Sequence, residues 1–271
     1  MTTGRRILAF PVVRIVLAAA PIVGVIIIAN ALALPVLLAS VVVPLLYVAY
    51  VRIVERRPVS ELAAAGAGRE LLQGFTLGAA LFAITMVVLC LAGIATVARG
   101  DGWLALASGL GVAIAAALVE ETLMRAIFFR IVEESLGTVI ALVASAALFG
   151  FLHAFNPGAT VVSTIAIALE AGIILAAAYL YTRRLWMAIG LHTAWNFTEG
   201  GVFGASVSGT TPHGLFTSHF SGPPILSGGT FGPEASVVAV VVCLLAGVAL
   251  LVRAQRLGRF RPPFWAKATA R

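Results

Sequence analysis

Residues 103–132 read WLALASGLGVAIAAALVEETLMRAIFFRIV, and the fold turns on how this run is interpreted. A helix needs about 20 apolar residues to cross a bilayer, and this run is longer than that. Inside it lie Glu120, Glu121 and Arg125. A charge at the bilayer centre costs roughly 2.5–3.5 kcal/mol on insertion scales, so such residues are functional candidates whose partners must be found.

The rest of the chain puts the run in a membrane. Of 271 residues, 61% are hydrophobic and only 11% charged, against about 25% charged in soluble domains. The mean hydropathy is +1.07. Lipid admits helices or closed barrels, and these runs are too long and too continuously apolar for alternating barrel strands. The expectation is an all-α, polytopic transmembrane helical bundle of about eight spans, with residues 1–271 forming a single integral membrane domain.

Working outward, the predicted spans are Ile15–Leu32, Leu34–Val51, Gly74–Val97, Trp103–Val132, Leu136–Phe155, Thr160–Tyr181, Leu185–Glu199 and Ala235–Val252. A charged linker with Arg52, Glu55, Arg56, Arg57, Glu61, Arg69 and Glu70 follows the second. Residues 200–234 form an outer loop rich in Gly, Ser, Thr and Pro, and 253–271 a basic tail. The N-terminal run carrying Arg5 and Arg6 reads as a first span, not a cleaved signal peptide. Eight spans place the strongly basic segments on one side, which predicts cytoplasmic termini by the positive-inside rule. The formal charge of +7 is accounted for by these span-end arginines. Nucleic-acid binding would need a dedicated basic reading element, so it is not expected. Cys90 and Cys243 stand singly in apolar runs, without disulfide or CxxC patterning.

Helical spacing sorts the intramembrane polar residues. Glu121 and Arg125, at i,i+4, meet on one face. Glu120 lies about 100° around the helix from Glu121, so Arg125 does not answer its charge on the same face. Glu120 is then protonated, faces a wet cavity, or finds a partner on another helix. Two further islands are Phe149-Gly150-Phe151-Leu152-His153 and His192-Thr193-Ala194-Trp195-Asn196. His192 and Asn196 share a face, as Phe149 and His153 do. Taken alone, each island could be helix-to-helix hydrogen bonding. At about 1.5 Å per residue, His192 lies roughly 10 Å from the cytoplasmic span end, Asn196 and Glu120 roughly 16–18 Å, and His153 roughly 25 Å. Helix tilt absorbs that spread, so all four can reach one intramembrane cavity.

Glu120-Glu121-x-x-x-Arg125, Phe149-x-x-x-His153 and His192-x-x-x-Asn196, in this order, resemble the motif set of the CAAX protease and bacteriocin-processing (CPBP, Abi) family. The stretch Leu185-Trp186-Met187-Ala188-Ile189-Gly190-Leu191-His192 is also similar to that family. The resemblance covers a motif core at 103–199 and implies an intramembrane endopeptidase of the CAAX prenyl endopeptidase type II kind. It further implies that Glu120 is the base activating water, assisted by His153. His192 and Asn196 would form the oxyanion hole, and Glu121 and Arg125 the supporting pair. The implied partners are membrane lipid and a peptide or protein substrate, possibly a CAAX tail, although no residue here reads a prenyl group.

The chain lacks an HExxH zinc pair. The expected cofactor is none, with zinc at the catalytic residues as the alternative, because Asn is a poor zinc ligand and a good oxyanion donor. Two other functions fit the composition: a non-catalytic membrane partner or self-immunity factor retaining the fold, and a transporter carrying protons on Glu120 and Glu170. Glu170 departs from the small or apolar residue expected in the sixth span. It would bond a neighbouring helix, pair with a His or Arg125, or line the cavity. Glu199 is expected at the outer interface, solvated. His213 and His219 are expected as solvated loop histidines, with a weak metal site as the other possibility.

Overall fold

A computed structural model describes residues 10–211 and 213–267. Arg5, Arg6 and Arg271, which entered the orientation argument, lie outside the described residues. The chain is an all-α membrane bundle. Its main helices are α1 (Pro11–Ala31), α2 (Val36–Glu55), α3 (Ala67–Leu91), α4 (Trp103–Leu136), α5 (Thr138–His153), α6 (Val161–Thr182), α7 (Trp186–Asn196, continued as a π-helical turn Phe197–Val202) and α8 (Val237–Arg256). Six of these are long and apolar enough to cross a membrane. The two shorter ones are α5 and α7, and a count of eight spans depends on them. Large apolar side chains such as Val12, Ile28, Leu38, Leu45, Val143 and Leu245 point outward. In water such a surface would be an aggregation liability, whereas lipid solvates it.

The third predicted span needs correction. Its helix begins at Ala67, so Arg69, Glu70 and Gln73 belong to its first turns, and it stops at Leu91. Residues Ala95–Arg99 instead form strand β1, which pairs antiparallel with β2 (Phe216–Phe220), in the register Ala95↔Phe220 to Arg99↔Phe216. The segment 200–234 is therefore not a plain loop. It also holds a helical turn at Pro224–Ser227 and a 3-10 turn at Pro233–Ala235. The strand partner is distant in sequence, so local composition gave no sign of it.

The contact of α3 with α7 places the candidate site. Gly74 and Gly78 lie one above the other on α3. A Cβ on Gly74 would stand 2.1 Å from the Met187 carbonyl oxygen, and one on Gly78 2.3 Å from that of Leu191. Gly190 answers from α7, where a Cβ would stand 2.3 Å from the Leu71 carbonyl oxygen. Small residues four apart allow backbones to approach this closely in lipid. The approach walls α7 in protein: Met187 to Trp195 are all buried. Polar side chains on α7 thus face protein and not lipid, which is how a membrane tolerates them. The start of α7 is tied by Leu185 N–H donating to the Glu61 carbonyl and Trp186 Nε1–H to the Ala63 carbonyl, each at 2.9 Å.

The basic segments gather at one end of the bundle in an ion-pair network. Arg14 and Arg130 each reach both Glu55 and Glu134, Arg57 reaches Glu55 and Glu61, and Arg183 and Arg261 reach Glu133. Arg184 pairs with Glu70 at the start of α3. The charged end of α4 therefore projects into this network rather than into apolar surroundings.

Candidate active site

Helix α4 carries Glu120 and Glu121 just before a π-helical segment, Thr122–Phe129. Two further π segments adjoin the same region, Ala168–Gly172 within α6 and Phe197–Val202 after Asn196. Such bulges frequently accompany functional sites. Here a second benefit is visible: the carbonyls of Ala171 and Gly172 accept from Arg125 Nη2, each at 3.3 Å.

Arg125 is wholly buried. Its Nη1 donates to Glu121 Oε1 at 3.1 Å, and its guanidinium carbon lies 4.6 Å from the centre of the Phe149 ring. The pairing expected from the i,i+4 spacing is present, with one addition. The same Glu121 Oε1 also accepts from His192 Nδ1 at 2.8 Å. Glu121 therefore bridges α4 to α7 and fixes which nitrogen of His192 faces the cavity. A carboxylate on one ring nitrogen sets the tautomer and the ring's orientation.

Glu120 turns elsewhere. Its Oε2 stands 3.9 Å from His153 Nε2 and 4.0 Å from His192 Nε2, and has no protein hydrogen-bond partner. His153 Nδ1 lies 2.8 Å from the Phe149 carbonyl oxygen. A carbonyl only accepts, so Nδ1 carries the proton and Nε2 is directed at Glu120. Glu120, His153, His192 and Asn196 all line one cavity of about 420 Å³. Its apolar wall includes Val112, Ile167, Ile174 and Leu175, and it extends to Ser208, Thr210 and His213 of the segment after α7. A second, smaller cavity of about 190 Å³ reaches Glu120 and His153 beside Leu123 and Leu152.

Two zinc ligands at bond lengths of about 2.0–2.1 Å in a tetrahedron stand about 3.3 Å apart, closer than the 3.9 and 4.0 Å separations here. Among the described residues, no group of three His, Cys, Asp or Glu side chains is arranged to hold a metal ion.

Of the expectations about other residues, the one for Glu199 needs correction. Glu199 is not solvated at an outer interface but wholly buried. The chain folds Gly232 back to it, within 3.5 Å of a Cβ position on that glycine, and Glu234 lies beside it. Glu170 both lines the cavity and bonds a neighbouring helix, its Oε1 accepting from Cys243 Sγ at 3.4 Å. Arg125 is engaged elsewhere. His213 is exposed and pairs with Asp101 at 2.9 Å, and His219 is exposed on β2.

Sequence reasoning missed Asn156, Trp195 and Glu234, which also line the cavity. Asn156 lies just beyond the end of α5. Trp195 Nε1 is buried without an acceptor. The one available signal was that Trp195 sits inside the His192-to-Asn196 motif. Glu234 gave none, because only the return of the outer segment brings it to the site.

The fold and cavity define a class: a polytopic helical membrane protein whose carboxylate, histidines and amide converge inside the bundle. Residues 101–198, the segment that carries all three motifs, match the family model for type II CAAX prenyl endopeptidase Rce1-like proteins. No curated protein and no solved structure matches the chain. The family match supports a CAAX-type intramembrane protease in general.

Proposed function

We propose that the chain is an intramembrane endopeptidase in which Glu120 activates water against a peptide bond. The observation that carries this reading is the arrangement around Glu120 Oε2: unpartnered, and 3.9 and 4.0 Å from two histidine Nε2 atoms in one cavity. A water about 2.8 Å from each of two such atoms bridges gaps of this size. Glu120 would take its proton as the oxygen attacks, with His153 Nε2 holding the water from the other side. Developing charge on the carbonyl oxygen would meet Asn196 and a protonated His192 Nε2. The Glu121 carboxylate holds His192 in place from behind, and a site walled by protein makes such donors more effective. The leaving amine would recover the proton from Glu120. No step requires a metal.

The substrate would be a peptide or protein segment reaching the cavity from the membrane or its surface, with the termini cytoplasmic. Cleavage by the purified full chain, measured on peptides in micelles or vesicles, tests the reading. Glu120→Ala is expected to abolish hydrolysis while the protein still inserts and folds. Unaltered cleavage by this variant would sink the proposal.

A further inference from the structure

The proposed chemistry uses Glu120, Glu121, Arg125, His153, His192 and Asn196. It leaves three buried carboxyls unused in the same part of the molecule: Glu170 on α6, Glu199 after α7, and Glu234 before α8. Glu170 and Glu234 line the cavity that holds the proposed catalytic residues. Their exposures are 2% for Glu170, 0% for Glu199 and 3% for Glu234. Glu234 Oε1 accepts from the Ser208 backbone N–H and hydroxyl, at 2.8 and 2.7 Å. Glu170 is far less satisfied. Its Oε1 meets a thiol, a weak donor, the neighbouring Ala171 backbone adds one further contact, and its Oε2 is buried with no close hydrogen bond. Glu199, behind Glu234, makes no close hydrogen bond beyond the Glu234 carboxyl and backbone that lie against it. Arg125, the wholly buried cation beside the cavity, is spent on Glu121 and two carbonyls.

A buried carboxyl without a donor either keeps its proton or is answered by a cation, and a cationic ligand would enter by displacing that proton. The ligand to expect is therefore one that brings positive charge and N–H donors into the cavity. A bare metal ion is a poor match, since no three acidic or histidine side chains among the described residues are placed to hold one. An ammonium or guanidinium on an aliphatic stem matches better. The stem can lie along Ile167, Ile174 and Leu175 while the charged head reaches the carboxyls, the division such side chains adopt at apolar surfaces.

We propose that Glu170 and Glu234 form a specificity subsite for a basic side chain, Lys or Arg, of the substrate near the scissile bond. The inference rests on reading the cavity as a peptide site. Glu199 packs behind Glu234 without touching the ligand. A substrate with an apolar residue at that place would leave the Glu170 oxygen unpaired, and sites built to hydrogen-bond a group discriminate strongly against its absence.

The binding test does not need turnover. The full chain in micelles is heated with n-hexylammonium or with 1-hexanol, which share a stem and differ in charge. Ligand bound to the folded form alone raises the unfolding temperature with concentration. The expected result is stabilisation by hexylammonium at concentrations where hexanol gives none, at least about tenfold weaker in Glu170→Gln and in Glu234→Gln. Equal shifts with the two probes, no shift with hexylammonium, or undiminished shifts in both variants would overturn the subsite. If a variant fails to fold, the comparison of probes on the parent chain still decides. A companion assay uses paired peptides carrying Lys or norleucine at each position. Loss of Lys preference in the Gln variants supports the subsite. Failure of the parent chain to cleave any peptide counts against the endopeptidase reading and leaves the binding result standing.

Discussion

Removing the Glu121 carboxylate tests the internal logic of the site without reference to any substrate. Glu121→Ala strands Arg125, which is wholly buried and 3.1 Å from Glu121 Oε1, and also deprives His192 Nδ1 of an acceptor at 2.8 Å. Coulomb attraction at 3.1 Å with an effective dielectric of about 20 is about 5 kcal/mol. Desolvation offsets much of that in the intact pair, but truncating one partner exposes the full penalty, typically about 3–5 kcal/mol. The two carbonyl bonds of Arg125 at 3.3 Å remain and keep the loss from running higher. Glu121→Ala is therefore expected to lower unfolding stability in micelles by about 3–5 kcal/mol. The double variant Glu121→Ala/Arg125→Met removes the stranded charge. It should recover a large part, leaving about 1.5–3 kcal/mol for the lost bond to His192. Denaturant titration of the parent, single and double variants reads both effects. A single-variant cost below about 1 kcal/mol, or a double variant no more stable than the single, would refute the view of Glu121 as the brace between α4 and α7.

Three further outcomes are expected. Gly78→Ala puts a methyl 2.3 Å from the Leu191 carbonyl oxygen, so α7 must retreat by about 1 Å, a displacement on the scale that costs about 100-fold in rate; Gly24→Ala, with nothing within 4 Å, should leave peptide cleavage unchanged. Burial pushes the Glu234 carboxyl above its ordinary value of 4.5. The folded chain then holds a proton that the unfolded chain releases, so the stability from this group is full below about 4.5 and declines as pH rises through the folded-state value. Chemical unfolding across pH should show that decline in the parent chain and a flatter profile in Glu234→Gln. Arg130→Met removes the partner of Glu55 at 2.9 Å and of Glu134 at 2.9 Å, and because Arg130 and Glu55 are mostly buried the loss should exceed the 1 kcal/mol or so of a surface pair, measured as a shift in unfolding midpoint.

The candidate site was legible to the extent that helical periodicity governs it. Glu121 with Arg125, Phe149 with His153, and His192 with Asn196 each sit four residues apart, and a helix puts such pairs on one face whatever surrounds them. The same geometry separated Glu120 from Arg125. What periodicity cannot carry is the relation between helices. That His192 Nδ1 takes Glu121 while its Nε2 turns to Glu120 depends on how α7 lies against α4. Glu199 was misplaced for a related reason. Its distance along the span pointed to an interface, but the returning segment with Gly232 and Glu234 closes over it. The third span was set too far along because hydropathy does not register that Arg69 and Glu70 can begin a helix when Arg184 waits at its end.

The sequence alone therefore determined that this is a helical membrane protein, where most helices lie, and which polar residues inside them must be accounted for. These follow from local physics: lipid requires internally satisfied backbone, and one turn of helix fixes which neighbours share a face. Only the tertiary structure decided that Glu120, His153, His192 and Asn196 line one cavity, that π turns border it, and that Glu170 and Glu234 belong to the same space. Those outcomes depend on the close approach of α3 to α7 at Gly74, Gly78 and Gly190, and on the strand pairing that folds the outer segment back. Both join residues more than a hundred positions apart, a separation that no helical period spans.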